Sequence, residues 1–365
     1  MASMEAPDVR PYDALLLVSF GGPEKPSDVV PFLERVTAGR GIPRERLEEV
    51  GEHYFLFGGK SPINDQNRAL LDAIREDLAG AGLDLPVYWG NRNWDPLLAD
   101  TVRQMRDDGV TRAACFLTSA YSSYSSCRQY RENLADATAE VEGAPRLDRL
   151  RQYFNHPGFV DPVADATLAA FAELDPGTTE RVHVVYVTHS IPTSMNEASG
   201  RWGSAYVKQH RSVVDAVDAR IRERAPLRLE SSLAFCSRSG PPQVPWLEPD
   251  INEHLRALSE GGVTAVVVVP VGFVSDHMEV IYDLDTEAAA TARELGLGFA
   301  RAATPGVDPR FVAMVRDLLV ERAHSERGEL VERTAVGGLL AMPDLCAAGC
   351  CANPRSDRPA LGGAE

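Results

Sequence analysis

The chain of 365 residues has no apolar run approaching the ~20 residues that a bilayer-spanning helix needs. Its longest, over 263–274, has the length and β-branched content of a strand. Nor does it carry excess positive charge: 37 Lys and Arg stand against 53 Asp and Glu, a net charge of -16. That balance argues against a nucleic-acid backbone as partner. A small anion held by a local group of arginines, hydroxyls or backbone N–H groups remains compatible with it. The turn at Gly21-Gly22-Pro23 lacks the G-x-x-x-x-G-K-[ST] spacing, and Pro23 and Pro26 each remove an N–H from any phosphate cradle. No dinucleotide fingerprint is present, so nucleotide chemistry is disfavoured. Residues 1–10 are polar and acidic, unlike a secretory signal, which predicts a cytoplasmic protein. Cysteine is scarce, with six in all, and in a reducing compartment these read as buried thiols or metal ligands rather than disulfides.

What is present is an alternation of strand and helix signals. Strands are predicted at 13–20, 86–90, 112–118, 182–188, 229–236 and 264–273. Helices are predicted at 30–36, 64–78, 95–108, 127–141, 203–222, 250–258, 278–294 and 311–323, with Asp95 and Pro96 as N-cap and first turn of the third. Alternation of this kind predicts parallel sheets with helices on both faces, and the length predicts two domains. Gly-Val-Thr precedes a strand at both 109–111 and 262–264, a weak echo consistent with duplication. The expected fold is therefore α/β, with two similar Rossmann-like domains over 11–145 and 146–304 joined through 142–150. A helix at about 305–325 returns to the first domain, and a cysteine-bearing tail, 326–365, is partly disordered from Pro354 onward.

In open α/β sheets, ligands bind outside the carboxyl ends of the strands. Those ends carry Ser19–Pro23, Asn91 to Trp94, Ser119 to Tyr124 with Tyr121, His189-Ser190, Ser237-Arg238-Ser239 and Asp276–Glu279. Two facing domains would make of them a cleft lined by aromatics, hydroxyls, arginines, a histidine and carboxylates. His189 by itself reads equally as a capped, hydrogen-bonded strand end. Glu279, Asp283 and Glu287, at i, i+4 and i+8, share one helix face. They read either as a solvated acidic stripe or, because the row starts at a strand end, as part of a site. Histidine with carboxylates suits Fe²⁺ and equally suits acid–base work near neutral pH. Such a row would carry metal ions in or protons out.

Seven ordered blocks, LLLVSFGGPEKP, HYFLFGGKSPIN, VYWGNRNW, SSYSSC, VTHSIP, SRSGPPQVPWLEPD and GFVSDHMEVIYDLDTE, resemble the ferrochelatases over roughly 12–320, and among them the actinobacterial enzymes of coproporphyrin type. The resemblance implies two chelatase-like domains around a porphyrin cleft and insertion of Fe²⁺, as substrate, into the ring to serve haem synthesis. It makes His189 and Glu279 catalytic and ligands of the entering ion, with Asp283 and Glu287 behind them. It places Ser61 and the segment of Arg40 on the propionate side, and the cleft residues Phe20, Tyr121, Tyr124 and Ser237 against the porphyrin. Phe20 stands where many bacterial relatives have a tyrosine, and a phenyl ring cannot ligate. The same resemblance matches Cys127 to the upstream ligand of an iron–sulfur cluster, with Cys346, Cys350 and Cys351 completing four thiolates. Those suit [2Fe–2S] or, alternatively, Zn²⁺. The adjacent Cys350-Cys351 departs from the usual spacing. Coproporphyrin III is the expected porphyrin and the upstream oxidase and coproheme decarboxylase the expected pathway neighbours. Protoporphyrin IX, a cobalt or nickel chelatase, and a non-catalytic haem or metal carrier stand as alternatives.

Overall fold

Six residues buried in succession, Ala14–Ser19, form strand β1 of a computed structural model that describes residues 6–225 and 229–363. Residues 1–5, 226–228 and 364–365 lie outside the described residues, and with them half of the acidic amino-terminal stretch and the last two residues of the tail. After β1 come α1 (Val29–Val36), α2 (Arg44–Phe55), α3 (Ile63–Gly80), β2 (Val87–Asn91), α4 (Leu98–Asp107), β3 (Arg112–Leu117), α5 (Gln129–Glu140) and β4 (Arg146–Arg149). Helix α6 (Pro157–Glu173) leads into β5 (Val182–His189), α7 (Thr193–Glu197), α8 (Ala205–Arg224), β6 (Glu230–Cys236), α9 (Ile251–Glu260) and β7 (Ala265–Val269). The chain closes through α10 (Met278–Ile281), α11 (Ala289–Glu294), β8 (Gly298–Arg301) and α12 (Pro309–Glu326).

Two four-stranded sheets result, in the orders β2-β1-β3-β4 and β6-β5-β7-β8, and every pairing is parallel. The second order is the first shifted by four. In each sheet the chain steps outward on one side of its first strand and then crosses to the other side. The crevice between β1 and β3, or β5 and β7, is therefore the topological switch point where a ligand sits. His189 is the carboxyl-terminal residue of β5.

Alternate strand residues serve opposite layers, as a period of two requires. Leu15 and Leu17 of β1 and Val184 and Tyr186 of β5 share one continuous core with α6, α8 and α12. Leu16 and Val18 face α4 and α5, and Val185 and Val187 face α9 and α11. Full burial of each such side chain contributes about 1.5–3 kcal/mol. Helix α12 packs on α3 and α6.

The structure differs from the sequence-based expectations in several places. The segment 142–150, expected as a linker, contains β4, paired with β3. Its charged residues hid it, because Asp148 is buried against Arg112. The helix expected from Asp95 starts at Leu98, since the carbonyls of Asp95 and Pro96 instead accept from Asn91 at 3.0 and 2.7 Å. Strand β7 stops at Val269, before Pro270, which has no N–H to give the ladder. Helix α6 escaped notice because its apolar residues surround it, leaving little amphipathic period to detect. The expected helix 278–294 is three pieces with a π-helical segment, Asp283–Ala288, in the middle. The tail is placed through residue 363 rather than disordered from Pro354. Leu361 N donates to Arg131 O at 3.1 Å, Cys346 N to Gly362 O at 3.0 Å, and Arg358 pairs with Asp136. Its polar composition concealed partners that lie on α5. No helix among the described residues is long and apolar enough to cross a membrane.

Candidate active site

His189 lies opposite Cys236 of β6. Its backbone is fixed by Tyr206, whose hydroxyl meets Thr188 Oγ1 at 2.9 Å and donates to His189 O at 2.8 Å. Nδ1 of His189 contacts the carbonyl of Ser190. A carbonyl only accepts, so Nδ1 is assigned the proton and Nε2 is left with a free lone pair. Burial lowers the imidazole pKa, and the Glu279 carboxylate opposes that effect. The net direction is downward, which leaves the ring neutral near pH 7.

Glu279 stands in the first turn of α10, after a loop pinned from two sides. Asp276 N donates to Gln66 Oε1 at 2.7 Å, while the Asp276 carboxylate accepts from Arg301 and from Thr304 at 3.1 Å. Asp276 therefore holds the loop rather than serving the cleft. His277 Nδ1 lies 2.9 Å from Glu279 Oε2, a charge contact that is not aligned as a hydrogen bond. Burial alone would raise the carboxyl, but His277 and His189 bring it down to about 2. Burial would likewise lower His277, yet Glu279 and the other nearby carboxylates raise it. The sequence pattern presented His277 only as a neighbour of Glu279; a histidine two residues from a carboxylate was the available signal.

Asp283 and Glu287 follow on the π-helical segment. In an α-helix four residues advance about 400°, so a row at i, i+4 and i+8 drifts around the axis. The wider i→i+5 turn of the segment that carries Asp283 and Glu287 counters that drift. Asp283 accepts from the hydroxyl of Ser237, whose φ of 62° is uncommon for a non-glycine residue. Burial, with the charges of Glu279 and Glu287, outweighs that hydrogen bond and lifts Asp283 to about 7. Glu287 is exposed. The row thus runs from solvent to a carboxyl poised at neutral pH, then to an ionised one beside a neutral imidazole.

An aromatic wall closes the same region. Phe32 meets Phe20, Tyr54 and Trp94 edge-on at 6.2, 6.1 and 6.2 Å, and Met278 joins this cluster from α10. His53 stacks on Tyr282 at 3.9 Å. Helices α1 and α2 of the first half thereby meet the acidic row of the second. Arg92 lies over Phe20 and Tyr130, 5.4 and 4.3 Å from the ring centroids. Arg40 is exposed, in electrostatic reach of Arg92 and Tyr124. Ser61 and Tyr121 are placed differently. Ser61 is buried beneath Gly22, where an added Cβ would come within 2.9 Å of the Ser61 Cβ. Tyr121 is a core residue that donates to Val271 O at 2.9 Å and stacks on His210 at 3.6 Å.

Elsewhere, Cys127, Cys346, Cys350 and Cys351 form their own buried cluster. Gly200 N lies 3.1 Å from Cys351 Sγ, and Arg149 Nη2 lies 3.5 Å from Cys346 Sγ. Arg131 and Arg149 are buried beside them, and Nη1 of the first with Nε and Nη1 of the second lacks any hydrogen-bond partner. Two buried guanidinium ions with idle donors call for negative charge at the sulfurs. Among the described residues no group of His, Cys, Asp and Glu is disposed to chelate a single metal ion. Cys115 and Cys236 are buried within strands, and burial raises both thiols.

The family model described as Ferrochelatase matches residues 12–323. A protein of Streptomyces coelicolor named coproporphyrin III ferrochelatase is 59% identical, over 98% of this chain and 98% of its own. One of that name from Frankia alni is 55% identical over 94% and 87%, and a ferrochelatase of Rhodopirellula baltica is 46% identical over 98% of each. Among solved structures, SirB from Bacillus subtilis with Fe3+ superposes with a TM-score of 0.51 at 14% identity, covering 87% of this chain and 99% of that one, which shows a shared fold. By the match of that model along most of its length, the chain belongs to the ferrochelatase family.

Proposed function

We propose that this protein inserts Fe²⁺ into coproporphyrin III, forming the iron porphyrin and releasing two protons in haem synthesis. The observation that carries the reading is the meeting of His189, neutral with Nε2 free, and ionised Glu279 at the switch point of the second sheet. The relatives named above supply the substrate class. Metallation has two demands. The pyrrole N–H protons need an acceptor, which a neutral imidazole provides near pH 7. The ion must exchange water for other ligands, and imidazole with carboxylate suits Fe²⁺. Asp283, at about 7, is poised to take up a proton from the site and pass it to the exposed Glu287. Phe20 and its aromatic neighbours offer the porphyrin apolar faces, while Arg40, with Tyr124 and Ser237, serves its polar rim.

In this reading, residues 11–145 and 146–304 are the two domains flanking the cleft, α12 belongs with the first, and the enzyme works in the cytoplasm. Its pathway neighbours are the oxidase that supplies coproporphyrin III and the decarboxylase that consumes coproheme. Cys127, Cys346, Cys350 and Cys351 would hold a [2Fe–2S] cluster, with Arg131 and Arg149 balancing its charge. When bound, such a cluster would supply an anionic, redox-active centre.

Anaerobic incubation with Fe²⁺ and either coproporphyrin III or protoporphyrin IX, followed by absorbance, tests the function. Faster conversion of the first is expected. Equal conversion overturns the substrate assignment, and tight binding without conversion of either indicates a carrier. Faster uptake of Co²⁺ or Ni²⁺ overturns the choice of metal.

A further inference from the structure

Most arginines here meet a carboxylate within 4 Å; among the ten described ones that do not, Arg40, Arg92 and Arg355 gather in one place. They come from three distant parts of the chain: the loop after α1, the carboxyl end of β2, and the cysteine-bearing tail. Arg92 donates only to a neutral amide, Asn133 Oδ1 at 2.7 Å, and otherwise lies over aromatic rings. Arg40 and Arg355 make no side-chain hydrogen bond among the described residues and are exposed. All three lie within electrostatic reach of Tyr124, and Arg355 also within that of Arg40. The carboxylate in electrostatic reach of Arg92, Glu132, is already paired with Arg128 at 3.1 Å. The like charges that remain repel one another, which an entering anion relieves.

Arg355 is held there by its flanks. Asn353 Nδ2 donates to Glu132 Oε2 at 3.1 Å and its Oδ1 accepts from Arg355 N at 2.9 Å. On the other side Arg358 pairs with Asp136, and Arg358 O accepts from Arg128 Nη2 at 2.7 Å. Glu132 Oε2 is itself 3.4 Å from the Tyr124 hydroxyl. The tail therefore clamps residues 353–358 onto α5 beside Tyr124, while Cys346, Cys350 and Cys351 bury its preceding part against Cys127. At Gly363 an added Cβ would lie 2.5 Å from Arg131 Nη2, so a side chain there would disturb the end of the clamp.

We infer that Arg355 is a substrate-binding residue, delivered by the tail to meet a carboxylate of the porphyrin alongside Arg40 and Arg92, and that it favours coproporphyrin III over porphyrins with fewer carboxylates. The inference rests on the proposed function. Coproporphyrin III carries a propionate on each of its four pyrroles, whereas protoporphyrin IX carries two. The extra anions are what a third unpaired guanidinium is suited to select. The tail cysteines then have a second consequence: releasing them frees the segment that carries Arg355.

Porphyrin fluorescence titration of the complete protein, without added Fe²⁺, reads binding apart from turnover. Arg355→Gln is expected to weaken coproporphyrin III about tenfold, as loss of a charge-assisted contact does, and to weaken protoporphyrin IX distinctly less. Arg355→Lys should recover part of the loss, and Arg256→Gln, on the exposed face of α9, should bind as the parent does. Cys346→Ser combined with Arg355→Gln should weaken binding no further than Cys346→Ser alone. Parent-like affinity in Arg355→Gln, or equal weakening of the two porphyrins, would overturn the inference. Failure of the parent protein to metallate either porphyrin would instead overturn the functional reading beneath it.

Discussion

His277 Nδ1 sits 2.9 Å from Glu279 Oε2, and the contact favours the cationic imidazolium on one side and the ionised carboxylate on the other. Glu279 thereby stays ionised in a half-buried position where burial alone would favour its neutral form. His277→Asn removes that support. The expected result is a fall in kcat on the order of tenfold or more, with porphyrin binding retained in a fluorescence titration. Unchanged kcat would show that Glu279 needs no such partner.

The strand ends and the acidic row were legible in the sequence because they obey simple periods. Buried parallel strands give β-branched runs, and i, i+4, i+8 spacing gives one helix face. His277 carries no such signal, because its role depends on a side-chain contact, not on spacing. Asp276 reads from the sequence as a member of the acidic site, but Arg301 and Thr304 occupy its carboxylate. Strand β4 and the ordered tail were hidden for a shared reason: their charges are satisfied by partners far away in sequence, Arg112 for Asp148 and α5 for Arg358.

Asp283 predicts the pH dependence. It is lifted to about 7, so it is protonated below that value and able to accept a proton only above it. His189 is already neutral there, since its pKa is lowered. The metallation rate should therefore rise with pH through about 7. Asp283→Asn should be slower at pH 8 and lack that rising limb. An identical limb in the variant would assign it to another group.

The cysteine cluster can be assayed without turnover. Iron and acid-labile sulfide analysis, with a visible spectrum of the anaerobically purified protein, should find a [2Fe–2S] centre that Cys346→Ser loses. The variant's Tm should drop, because Arg131 and Arg149 would keep buried donors without acceptors, at about 1–3 kcal/mol for each such group. A zinc content of one per chain without sulfide would point to a structural Zn²⁺ site instead.

Acid stability has a separate origin in His210. It is fully buried, with Nδ1 against Tyr206 O at 2.8 Å and Nε2 without a partner, and burial lowers its pKa from 6.5 to about 3. The unfolded chain binds this proton below 6.5 while the folded chain does not, so stability is lost as pH falls from 6.5 toward 3. The loss amounts to a few kcal/mol at the low end, on the order of its share of the shift. Thermal unfolding of His210→Gln should depend less steeply on pH across that window; an equal slope would assign the effect to other groups.

The free Nε2 of His189 is the most direct point of attack on the proposed chemistry. Anaerobic metallation of coproporphyrin III by His189→Ala, with porphyrin affinity measured on the same preparation, isolates the proton acceptor from the binding cleft. We predict near-normal affinity and a loss of insertion of at least a hundredfold, in the range typical of a missing general base. Insertion at close to the parent rate would contradict the account.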